Sequence, residues 1–160
     1  SGSRAGGATA TQRGGSSQAD GGPNLRARAS VGFALARPFP YLQVPVDLGV
    51  RLVGGLHLDV ALAVATPGPT DDGGVWLPSV AFGLSYRFPV SALEPRVGGG
   101  VQVGLDDSDG TIGPLPGWFG LGGFDVLVPG TPLLLGFDVR VGMLGRPFFL
   151  GVAAGAGVAF

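Results

Sequence analysis

From Leu25 to Phe160 the chain keeps placing bulky apolar side chains at alternate positions, with charge confined to the positions between them. Alternation of this kind marks a β-strand, whose successive side chains point to opposite faces. The first segment sets Leu25, Ala27, Ala29, Val31, Phe33 and Leu35 against Arg26, Arg28, Ser30, Gly32 and Ala34. The second opposes Leu42, Val44, Val46, Leu48, Val50 and Leu52 to Gln43, Asp47, Gly49 and Arg51. Leu56 to Val64 repeats the pattern around His57 and Asp59, Val80 to Phe88 around Arg87, and Val97 to Leu105 around Arg96. A sixth segment, Phe124 to Val128 about Asp125, is less regular, and Gly122-Gly123 predicts a bulge before it. Leu133 to Met143 alternates with Asp138 and Arg140. The eighth segment ends the chain: Phe148, Leu150, Val152, Ala154, Ala156, Val158 and Phe160 face one way, mostly Gly and Ala the other. It is too short for a membrane helix, which needs about 20 apolar residues.

No charge falls on the bulky face of any segment, and the next question is which face lies inside. With the bulky face inward the chain is a soluble β-sandwich or lipocalin-like barrel, coated in Gly and Ala. A soluble surface carries about 25–35% charged residues, whereas here charge amounts to 13% of the whole chain and hydrophobic residues to 45%. An eight-stranded barrel is also just wide enough for ordinary side-chain filling. Inverting the molecule resolves both difficulties: small and polar residues fill the lumen, and the apolar columns face lipid. Columns of this length give strands of ~10–12 residues, close to a tilted membrane span. A barrel assembled from several chains satisfies the same pattern. The formal net charge of −1 leaves no electrostatic footprint for nucleic acid. The absence of cysteine excludes disulfides and thiolate metal sites.

Residues 1–24 are rich in Gly, Ser and Ala and contain no bulky hydrophobe, so they are expected to form a flexible tether. The expected organisation is thus tether 1–24 and barrel 25–160. With the N-terminus periplasmic, the outer loops are RPFPY, TPGPTDDGG, DDSDGTIGPLPG and LGR, and the inner turns VGG, PVSALEP and PG. Longer outer loops and short inner turns suit an outer-membrane barrel. Aromatics near strand ends form an expected interfacial girdle: Phe39, Tyr41, Trp76, Tyr86, Phe88, Trp118, Phe119, Phe148 and Phe160.

On these residues the chain resembles the small, eight-stranded bacterial outer-membrane β-barrels of the OmpA/OmpX-like class. The resemblance implies an all-β, antiparallel up-and-down transmembrane barrel in the outer membrane of a Gram-negative cell, with both termini periplasmic. It also implies that the last strand, through Val152, Ala154, Ala156, Val158 and Phe160, is the signal read by the barrel-assembly machinery. Outer-membrane lipid and a periplasmic domain or partner reached through the tether are the other expected partners.

The lumen face carries Arg26, Arg28, Asp47, Arg51, His57, Asp59, Arg87, Arg96, Asp125, Asp138 and Arg140. Opposite charges in a narrow interior can satisfy one another and plug it; they can also mark an ion pathway. A closed lumen and a non-enzymatic structural or anchoring role are expected, with a porin-like passage barrel as the alternative. A lipid-modifying enzyme is the third reading. His57 and Asp59 could orient a base, but no serine is evidently placed for them. The run Asp106-Asp107-Ser108-Asp109-Gly110 fails as a calcium loop, since Leu105 and Pro116 occupy the first and twelfth ligand positions. No metal or cofactor is expected.

Overall fold

The computed structural model describes residues 23–36, 40–67, 77–106 and 112–160. The strands are β1 (Leu25–Ala36), β2 (Pro40–Val53), β3 (Leu56–Pro67), β4 (Leu77–Arg87), β5 (Leu93–Asp106), β6 (Gly113–Leu127), β7 (Leu133–Leu144) and β8 (Phe148–Ala159). Each pairs with the next in sequence, and β8 returns to β1, closing an antiparallel barrel. Closure removes every sheet edge, the condition for taking strands into lipid, where an unpaired backbone group has no water to bond. The closing seam runs from Arg26↔Ala159 to Ala36↔Phe149. Phe160 locks its end: its carbonyl accepts from the amides of Asn24 (2.6 Å) and Leu25 (3.0 Å), and its own amide donates to Leu25 O at 2.9 Å.

The alternation decides which side is which. Phe33, Leu62 and Val101 point outward and are 59–61% exposed, whereas Arg28, Asp125 and Asp138 point inward and are at most 5% exposed. This inverts the usual distribution, in which charged residues are almost never fully buried unless paired. The outer wall is one continuous apolar surface, and the polar face forms the core.

Where β2 turns into β3, Gly54 takes φ +54°, and between β6 and β7 Gly130 takes φ +74°. This left-handed backbone favours glycine and lets the turns stay tight.

Three expectations from sequence need correction. The connection after β5 is shorter than DDSDGTIGPLPG, because β6 begins at Gly113. Pro114 and Pro116 are tolerated there because β6 projects beyond β7, whose pairing with it starts at Gly117↔Leu144. The turn PVSALEP likewise shrinks, because β5 begins at Leu93 and Pro95 lies where β5 overhangs β4. Third, no bulge occurs at Gly122-Gly123: both stay in register with β5 and β7. Gly123 is small for another reason, since a Cβ there would run into the Phe137 carbonyl and Asp138. The register shift falls between Arg51 and Val53 in β2.

Candidate functional site

The barrel interior has two layers, set by strand register. In the half nearer the termini, inward positions of β1, β2, β3, β4, β5, β6 and β7 bring charges together. Arg28 sits among three carboxylates: Nη2 donates to Asp47 Oδ2 at 3.1 Å and to Asp138, and Nη1 donates to Asp125 Oδ1 at 3.2 Å. Arg96 Nε donates to Asp138 Oδ1 at 2.8 Å. Arg87 bonds to Asp125 and, at 3.4 Å, to Asp59 Oδ1. Arg140 donates to Asp47 Oδ1 at 2.6 Å. Arg26 Nη1 lies 2.6 Å from Glu94 Oε2 and 3.7 Å from Asp125 Oδ2.

Five guanidinium groups (Arg26, Arg28, Arg87, Arg96, Arg140) thus face five carboxylates (Asp47, Asp59, Glu94, Asp125, Asp138). The balance matters because desolvating a charge costs several kcal/mol, offset only by well-placed partners. Room for the network comes from residues without side chains. At Gly136 a Cβ would collide with Arg28 and come within 2.6 Å of Asp125 Oδ1.

Glu94 is the member that sequence reasoning missed: Pro95 beside it read as part of a turn, and its register partner Asp125 becomes visible only once β5 and β6 are aligned. Arg51 Nε donates to Gly54 O at 2.6 Å in the β2–β3 turn. His57 is buried, with Nδ1 3.0 Å from Gly55 O, while Nε2 has no hydrogen-bond partner. Ser85 stands opposite His57 in register, and its hydroxyl is also unpartnered. The pair has the composition of a nucleophile and base, and both residues are buried, 3% exposed or less.

The half farther from the termini holds an apolar cluster, beside polar side chains such as Gln102, whose Nε2 donates to Met143 O at 3.5 Å. Phe119, Leu121 and Phe149 pack with Ala61 and Ala81, and Leu144 packs against the group. Arg140 lies where the layers meet, its guanidinium 5.7 Å from the centre of the Phe119 ring. A cavity of about 20 Å³ at this boundary is lined by Asp47, Asp59, Phe119 and Arg140 among others. A second, of about 10 Å³, lies within the charged layer beside Arg26, Asp59 and Arg87. A water needs roughly 10–15 Å³ of such space, so these two cavities are of the size of one or two waters.

Phe119 therefore does not belong to the interfacial girdle. Its neighbour Trp118 points outward, and alternation sends Phe119 into the lumen. Tyr41 is corrected in the same way: it pairs with the fully buried Ala34 and shares the inward row. Tyr86, Phe88, Trp118, Phe148 and Phe160 are exposed on the outside, with Tyr86 and Phe88 in an edge-to-face contact at 4.8 Å. Phe39, Trp76, residues 1–22 of the tether and residues 107–111 of the acidic loop lie outside the described residues. On β8, Val152, Ala154, Ala156 and Phe160 face outward, and Val158 is half-buried beside Ala27.

No protein-family model matches the chain, and no curated protein is similar to it in sequence. Solved structures are similar in fold. The N-terminal β-barrel domain of Pseudomonas aeruginosa OprF superposes with a TM-score of 0.64 at 12% identity, covering 87% of this chain and 99% of that one. A de novo designed transmembrane β-barrel gives 0.58 at 21% identity, covering 86% and 97%. Ail, the attachment invasion locus protein of Yersinia pestis, gives 0.54 at 13%, covering 86% and 99%. The chain has the fold of a small outer-membrane-type transmembrane β-barrel. Identities this low speak for fold and not for activity.

Proposed function

We propose that this protein is a structural or anchoring barrel of the bacterial outer membrane, non-enzymatic, with a closed lumen and both termini on the periplasmic side. The observation that carries the reading is the crowded interior of the described residues: a charge-balanced network in one half, an apolar cluster in the other, and between them cavities of only about 20 and 10 Å³. The short turns at 53–55, 88–92 and 128–132 share an end with both termini, which supports a periplasmic placement of that end. The OprF neighbour is itself one domain of a protein, which supports reading the segment preceding Leu25 as a tether to a periplasmic domain or partner. The C-terminal strand, outward-facing and ending in Phe160, is the part offered to the barrel-assembly machinery.

A planar-bilayer recording tests the closed lumen. The refolded protein is expected to be electrically silent; stepwise single-channel currents would contradict the reading. Such currents would favour a passage barrel instead, for which Asp47, Asp59 and Arg140 are the natural path. Their side chains are 12–17% exposed, more than the rest of the network.

A further inference from the structure

Nine buried side-chain polar atoms of the described residues lack a hydrogen-bond partner, and part of them gather about the two cavities. These are Arg26 Nε, Arg87 Nε, Arg140 Nε and Asp59 Oδ2. Arg26 and Arg87 line the smaller cavity, Arg140 lines the larger one, and Asp59 lines both. Asp59 is thus a divided carboxylate: Oδ1 takes Arg87 Nη2 at 3.4 Å, and Oδ2 is left as an acceptor between two spaces edged by N–H donors. An N–H can donate and a carboxylate oxygen can accept, so the group that completes both must do each in turn and be small. Anions fit poorly, because each cavity is also lined by carboxylates, Asp47 in both. Buried waters typically make about three hydrogen bonds to polar groups left over in this way.

We propose that the charged layer holds a pair of long-lived internal waters, one in each cavity, with Asp59 Oδ2 as their shared acceptor. The first takes the Nε–H of Arg26 and Arg87, the second that of Arg140. Hydration of the lumen therefore reaches Arg140 and stops beneath Phe119. This inference rests on the lumen geometry of the closed barrel, and its test separates it from that reading.

The test is water-to-proton cross-relaxation at the arginine Nε–H groups of the whole chain, refolded in detergent micelles and labelled with ¹⁵N-arginine. Arg96 is the comparison, because it lines both cavities but its Nε–H is already taken by Asp138 at 2.8 Å. The expected result is contact with slowly exchanging water at Arg26, Arg87 and Arg140, stronger than at Arg96. Absence of water at the first three overturns the proposal while leaving the closed lumen standing. Rapidly exchanging water at all four overturns both, since it means an open aqueous pore. Asp59→Ala is expected to abolish the three contacts, and Asp59→Asn, which retains an acceptor oxygen, to preserve them. Contacts that persist in Asp59→Ala would rule out the shared acceptor; if that variant does not fold, loss of the contacts in Asp59→Asn would do so.

Discussion

At the scale of single residues, a side chain's cost depends on which face of the wall it occupies. Asp138 is buried and accepts from both Arg28 and Arg96. Asp138→Ala leaves both guanidinium groups short of a partner, and removing one partner of a buried pair costs about 3–5 kcal/mol. The expected outcome is a lower urea midpoint for the detergent-refolded barrel, larger than that of Arg140→Ala, whose partly solvated side chain is 15% exposed. Gly136→Ala should destabilise it as well, since the added methyl enters the space of Arg28 and Asp125. The outer face follows the opposite rule. Val101 is 60% exposed, so Val101→Leu in a bilayer should be nearly neutral, but Val101→Arg there should cost up to about 2–4 kcal/mol near the midplane. Folding titrations in lipid vesicles compare the two variants.

At the scale of elements, barrel closure and the proposed recognition by the assembly machinery are separable in β8. The backbone of Phe160 closes the barrel through Asn24 and Leu25, whereas its ring points outward. Deleting Phe160 should impair refolding in micelles, while Phe160→Ala should refold normally there yet reach the outer membrane in smaller amount in cells. Measuring both yields separates closure from recognition by the assembly machinery. The elements were legible in sequence wherever each strand keeps one bulky face, as from Leu133 to Met143. Legibility ended where proline or glycine has a second physical cause. Pro114 and Pro116 suggested a loop, but they occupy an overhang of β6 where a missing N–H does no harm. Gly122-Gly123 suggested a bulge, whereas Gly123 is a close approach to Asp138. The charged half of the lumen was visible as a list of residues, because every member lies on the small face. Which charges pair depended on register, and Glu94 was lost with it. The apolar plug was harder still: Phe119, Phe149 and Leu144 are large residues on the face reserved for small ones, and only the barrel's closure places them together.

At the scale of the whole molecule, two layers with different chemistry lie inside one tube, and the proposal is that together they close it. The ion network is charge-balanced and the far half holds the bulkiest inward side chains, so that cluster is the part whose loss should open a lumen closed as proposed. The double substitution Phe119→Ala and Phe149→Ala is expected to convert a silent bilayer into one with small, stepwise currents. Continued silence would mean that the charged layer alone suffices to close the barrel. Everything argued for the interior depends on the inversion of the wall, with the bulky face in lipid and the charges enclosed. The most direct test is refolding of the chain from urea with and without detergent micelles, followed by electrophoresis of boiled and unboiled samples in SDS. A folded, heat-sensitive band that forms only with micelles is the predicted result; a soluble, cooperatively folded monomer obtained without them would contradict the account, because the bulky face would then be a core.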